Sequence, residues 1–300
     1  MYMNKRLKTA MLITPLAVTL VFTGCSGGGD DDRNGTDTVP KVDTTVKVEI
    51  PKTQEFVGIP APSEMLGFLK MVSKAGHKEV DFLNPTSNMK KYTTQKDLAL
   101  NFGVYSCDLT YCSVFGISSS ANDYFKVVKT LGEEIGVSSV ITPSLMKRAE
   151  SNLKNADSLA FLADEIYYSS SELLESSEKG PTLALVIAGG YIESLYIAAN
   201  VIVFDTKNPA VSRFADQEYN LDDIVIYMKK YQSDAGVAEA TKLVEEVKAL
   251  FDQIKSHSLQ KAEKHDNHKF DGGTVLDITQ EQFKAIGAKL KEVRNKFAQI

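Results

Sequence analysis

Between Pro181 and Phe204 the chain runs for 24 residues with one charged side chain, Glu193. A bilayer takes about 20 apolar residues to cross, so the segment is long enough to span one. Its central carboxylate would be costly in lipid, however, and Asn200 adds a second polar group nearby. The stretch therefore reads as a central helix, buried on most of its circumference by its neighbours. Such a helix needs a ring of amphipathic partners, and that requirement constrains the rest of the chain.

Signals for those partners begin near Pro60. Thr94 with Asp97, Ser120 with Asp123 and Thr279 with Gln282 have the spacing of capping boxes. Asn84-Pro85, Thr142-Pro143 and Asn208-Pro209 each set a capping residue before a proline at a first helical position. Tyr124, Val127, Val128, Leu131 and Ile135 form a stripe of helical period that stops at Gly136, and Leu243, Val247, Leu250 and Ile254 form another. These patterns predict helices over 62–75, 95–117, 121–135, 143–154, 157–177, 181–204, 209–231, 237–262 and 280–298. Only Thr45–Ile50 and Thr274–Ile278 carry strand character. The expected fold is an all-α multi-helix bundle occupying residues 60–300 as a single domain.

The N-terminal segment is of a different kind. Lys5, Arg6 and Lys8 precede an apolar run from Ala10 to Phe22, and Phe22-Thr23-Gly24-Cys25 follows the pattern of a lipobox. Residues 1–24 read as a lipoprotein signal peptide, with cleavage before Cys25 and acylation of that residue; the alternative is an ordinary secretory signal in which Cys25 is incidental. Two or more acyl chains anchor stably where one does not. Residues 25–59, with Gly27-Gly28-Gly29 and Asp30-Asp31-Asp32, hold too little apolar surface to order themselves and read as a disordered tether. Without residues 1–24 the chain carries 31 Lys+Arg against 39 Asp+Glu, a balance that argues against a nucleic-acid partner. Cys107 and Cys112 on one helix would lie about 8.6 Å apart, beyond the reach of a disulfide, and read as small buried residues.

Shifting the chain against itself by 85 residues aligns Leu98-Ala99-Leu100 with Leu183-Ala184-Leu185, Asp108 with Glu193 and Tyr111 with Tyr196. Each copy places a carboxylate three residues before a tyrosine, on one helical face. Two readings are open, two related helical units or a chance similarity of two buried helices, and in either Gly103, Gly189 and Gly190 serve close helix packing. Asp108 and Glu193 are the candidate catalytic residues, since paired carboxylates in a cleft can exchange protons or hold a cation. In the alternative reading they are core carboxylates satisfied by hydrogen bonds. Asn101 and Tyr105 share the face of Asp108, and with Tyr111 and Tyr196 they are candidate binding residues.

A second polar cluster, His265, His268 and Asp271, has a spacing that could take a divalent metal, but Lys264 and Lys269 flank it and no fourth ligand is evident. A solvated loop is the simpler reading. The sequence holds no nucleophile elbow, phosphate-binding loop, HExxH or dinucleotide fingerprint, and no cofactor is implied.

The string from Leu98 to Tyr111, together with Ala188 to Tyr196, Leu83-Asn84-Pro85 and Lys91-Tyr92, resembles a group of uncharacterised helical lipoproteins of Bacteroidota. The resemblance covers most of the chain from Pro60 and implies an all-helical fold without a known activity. A small residue such as Ala commonly stands in that group where this chain has Cys107, in keeping with a packing role. Ser26 after the lipobox resembles an outer-membrane sorting signal, and Asp30-Asp31-Asp32 is similar to a surface-export signal. The leading expectation is an outer-membrane lipoprotein, periplasmic or surface-exposed, that serves as a binding or scaffolding module. The alternatives are a hydrolase or metal-dependent enzyme using Asp108 and Glu193, and an accessory subunit of an outer-membrane transport or assembly complex.

Overall fold

Two helices buried on every side form the centre of the molecule. The computed structural model describes residues 62–72, 78–152, 155–258 and 274–300, all within one compact unit, Thr53–Ile300. Among them are ten α-helices: α1 (Pro62–Val72), α2 (Gln95–Val114), α3 (Ser118–Ile135), α4 (Pro143–Ser151), α5 (Ala156–Ser176), α6 (Gly180–Val201), α7 (Pro209–Ala215), α8 (Gln217–Lys229), α9 (Ala235–Phe251) and α10 (Gln280–Ala298). A short 3-10 helix covers Thr86–Lys91, and β1 (Lys255–Ser258) pairs antiparallel with β2 (Thr274–Asp277). The fold is an all-α multi-helix bundle. The tether, the strand expected at Thr45–Ile50, Cys25 and the His265, His268 and Asp271 loop lie outside the described residues.

Every residue of α2 from Leu98 to Val114 is buried, as is every residue of α6 from Leu183 to Ala198. α6 is long and apolar enough to cross a membrane, yet 89% of its most apolar window is covered by the rest of the protein, as befits a core helix. The two helices lie directly against each other, with α1, α5 and α10 touching both. α3 packs on α2, while α8 and α9 pack on α6. Glycines permit the central contact. A Cβ on Gly103 would collide with the Val186 carbonyl oxygen, and one on Gly189 with the Leu100 carbonyl oxygen. The helix backbones therefore touch without intervening side chains, and α2 hides its hydroxyls locally: Ser106, Thr110 and Ser113 each donate to the carbonyl four residues earlier.

Several local expectations hold. Thr94, Thr142 and Asn208 cap α2, α4 and α7, Thr279 and Gln282 form a full capping box on α10, and Gly136 ends α3 at φ 85°. Others are corrected. α3 begins at Ser118 rather than 121, because the Ile117 N–H bonds the Cys112 carbonyl and turns the chain directly out of α2; Asp123 pairs with Lys126 instead of capping. Asn84 does not cap the helix after Pro85, since its side chain turns into the core. The expected helix 209–231 is broken at Asp216, where buried Gln217 is drawn inward to accept the Tyr191 hydroxyl of α6 at 2.8 Å. The expected helix 237–262 stops at Phe251; Lys255–Ser258 pairs with β2 as a strand, in register from Lys255 opposite Asp277 to Ser258 opposite Thr274.

The match between α2 and α6 stays within those two helices. Positions 203–220, which align with α3, contain the irregular exit from α6, all of α7 and the start of α8.

Candidate functional site

Asp108 and Glu193 face one another across the α2–α6 contact, both with no exposed surface. The helical period that aligned them also points them inward, where Arg294 of α10 joins them. Arg294 Nε donates to Glu193 Oε2 at 2.8 Å, and one terminal nitrogen donates to Oε1 at 3.3 Å and to the Phe82 carbonyl at 3.3 Å. Its guanidinium also lies 5.0 Å from the centre of the Tyr196 ring, within cation–π range. Phe82 completes this wall, with ring edges toward both Tyr111 and Tyr196.

Three ionisable groups buried in one core must balance charge. One cation against two carboxylates leaves a net negative charge unless one carboxyl keeps its proton. Burial first, then the adjacent Glu193 charge, hold the Asp108 carboxyl well above the usual carboxylate range, and Arg294 opposes this only in part. Asp108 Oδ2 accepts the Asn84 backbone N–H at 3.2 Å, whereas Oδ1 receives no hydrogen bond from a described donor. An un-ionised Asp108 fits this arrangement, because its O–H could then be donated toward the adjacent Glu193. Burial works against the Arg294 charge, but the Glu193 charge and hydrogen bonds outweigh it and raise its pKa. Asp108 is thus held toward its neutral form beside the Glu193–Arg294 pair.

The candidate binding residues are occupied by the fold. Asn101 donates to the Asp97 and Phe297 carbonyls, each at 2.8 Å, Tyr105 to the Pro85 carbonyl at 2.8 Å and Tyr111 to the Glu79 carbonyl at 3.1 Å. Burial pushes the Tyr111 hydroxyl up to about 12 and the Tyr105 hydroxyl beyond the range where it could serve as a base. Asn101 acts with Tyr92 and Lys91, which donate to the Ala298 and Gln299 carbonyls. Together they satisfy the last carbonyls of α10, which have no partners within a helix. Asn84 links the two networks, donating to the Tyr92 hydroxyl at 3.0 Å and the Asn101 side-chain oxygen at 3.4 Å.

Two of these residues, Asn84 and Arg294, were not anticipated as partners of the carboxylates. Arg294 had a legible signal: it falls on the face of α10 set by Phe283, Ile286, Leu290 and Phe297, where a charge is out of place. The Asn84 signal was misdirected by the proline after it. Among the described residues no group of three or more His, Cys, Asp or Glu side chains is arranged to hold a metal ion. Cys107 and Cys112 are free, buried thiols.

Comparison with protein-family models, with curated proteins and with solved structures gives no match for this chain.

Proposed function

We propose that this protein is a lipid-anchored module of the cell envelope that binds or scaffolds a partner through its outer surface, with no reaction at Asp108 and Glu193. The observation that carries this reading is the complete burial of both carboxylates, already engaged by Arg294, Asn84 and each other. General acid–base work needs a group within hydrogen-bond reach of a substrate proton, and neither oxygen pair has that access. What the cluster does chemically is tie α2, α6, α10 and the Phe82–Asn84 segment together across the core.

The outer surface offers apolar contact residues. Phe161 on α5 is 64% exposed, and Tyr219 and Ile226, two turns apart on α8, are 52% and 56% exposed. Large exposed apolar side chains in pairs on one helix face are the usual anchors of a binding surface. The lipobox at Phe22–Cys25 supports placement at a membrane, and Ser26 after it, similar to an outer-membrane sorting signal, supports the outer membrane.

Two measurements in cells test this. Metabolic labelling with an alkynyl fatty acid should mark the wild-type chain and leave Cys25→Ala unmarked. Crosslinking in intact cells should give a discrete adduct that Ile226→Asp or Phe161→Asp weakens while Asp108→Asn leaves it unchanged. An unlabelled wild-type chain would remove the anchor, and an adduct lost only in Asp108→Asn would return attention to the carboxylates.

A further inference from the structure

Away from the charged cluster, α2, α3, α4 and α5 line an apolar cavity of about 110 Å³ that is partly open at Lys126. Three alanines, one from each of three helices, leave the space: Ala121 on α3, Ala149 on α4 and Ala163 on α5, over a floor that includes Leu109 of α2. Protein cores normally fill such a volume, because the lining atoms of a void lose their dispersion partners. Its size lies somewhat below the roughly 150 Å³ of an engineered apolar cavity that stays dry and takes benzene.

Among the described lining residues, the polar side chains both come from α3. Asn122 and Lys126 stand one turn apart on α3, on the same face. The Asn122 side chain hydrogen-bonds no other described residue. Lys126 Nζ reaches Asp123 of its own helix at 3.0 Å, with both side chains more than 60% exposed, a pairing weak enough to be exchanged. The opposite wall is adaptable. α4 has nine residues and rests chiefly on α5, supported by the exposed Arg148–Glu165 pair at 3.0 Å, and its half-buried Met146 lines the cavity with a flexible thioether.

We propose that this cavity is a binding site for a short apolar carboxylate, its hydrocarbon among the three alanines and its head group at Asn122 and Lys126. The cavity volume limits the tail to a few carbons, and a longer chain enters only if α4 moves outward. The site is independent of whether Cys25 carries lipid.

The test uses the full chain with Cys25→Ala, so that no acyl group of its own competes, and hexanoate as the probe. Binding is read by titration calorimetry and by the methyl resonances of Ala121, Ala149 and Ala163. Saturable hexanoate binding that shifts those methyls is expected, with 1-hexanol weaker and hexyltrimethylammonium weaker still. Lys126→Gln should weaken hexanoate about two- to fivefold, the worth of one exposed ion pair. Ala163→Leu, which fills the cavity, should weaken it at least tenfold, and Ala149→Val serves the same purpose if the leucine variant fails to fold. Absence of methyl shifts at high hexanoate, or unchanged affinity in a folded cavity-filling variant, overturns the proposal; equal binding of carboxylate and ammonium overturns the assignment of the head group.

Discussion

Arg294 donates two hydrogen bonds to Glu193 where their side chains are 3% and 0% exposed, and the pair joins the C-terminal helix to the central one. A buried pair of this kind is weak evidence of net stabilisation, since desolvation offsets much of the attraction. Breaking it is another matter. Arg294→Met would leave Glu193 without its cation beside Asp108 and should cost about 3–5 kcal/mol in urea unfolding. Adding Glu193→Gln to Arg294→Met should recover most of that loss, because the stranded charge goes with it. Equal losses in the single and double variants would mean that the packing of Arg294, rather than its charge, dominates.

The proton on Asp108 gives stability a pH dependence of defined sign. An unfolded aspartate titrates near about 3.9, and burial beside Glu193 raises the folded value well above the usual range. Between those limits the folded state holds a proton that the unfolded chain has lost. The group's contribution is full below the lower limit, declines as pH rises through the window and is gone above the folded value. Asp108→Asn removes the dependence while keeping a donor toward Glu193. Relative to wild type, its stability should rise with pH by at most about 1.4 kcal/mol per unit within the window. Parallel profiles for the two proteins would contradict an un-ionised Asp108.

The glycines of the central crossing should be intolerant in proportion to backbone proximity. Gly103→Ala and Gly189→Ala drive a Cβ against the carbonyls of Val186 and Leu100, which no side-chain rotation relieves, and each should cost about 2–3 kcal/mol. Gly67→Ala on α1 meets nothing within 4 Å and should gain about 0.5–1 kcal/mol from helix propensity. Thermal melts of the three variants decide it, and similar shifts at all three positions would refute the close crossing.

Residue pattern and structure agree most where the signal is local. The caps at Thr142 and Thr279 and the Gly136 stop need only neighbours in sequence, and each was readable. The pairing of Asp108 with Glu193 was readable as well, because the 85-residue offset placed both on matching faces of two apolar helices. What the pattern could not supply was the third partner. Arg294 lies 101 residues from Glu193, and nothing local to α10 tells which carboxylate its guanidinium meets. The break at Asp216 and the strand at Lys255–Ser258 were hidden for a like reason: one depends on Gln217 meeting Tyr191, the other on pairing with the strand at Thr274–Asp277. Helical period alone carried the expected helices through both.

Cys107 and Cys112 report on the solidity of α2. Both thiols are fully buried, and burial raises the pKa of each. In the Cys25→Ala chain, a thiol reagent at neutral pH should find no reactive cysteine until denaturant is added, and two thereafter. Reaction of either thiol in the native protein much faster than global unfolding would show local opening of the central helix.

The protonation state of Asp108 is the most direct test of the cluster as a closed, charge-balanced core. Infrared spectra at neutral pH, taken as the difference between wild type and Asp108→Asn, should contain the carbonyl stretch of an un-ionised carboxylic acid in the wild type alone. Detection of that band supports a neutral Asp108 beside the Glu193–Arg294 pair. A difference spectrum showing only an ionised carboxylate would contradict the account and reopen the two carboxylates as a charged site.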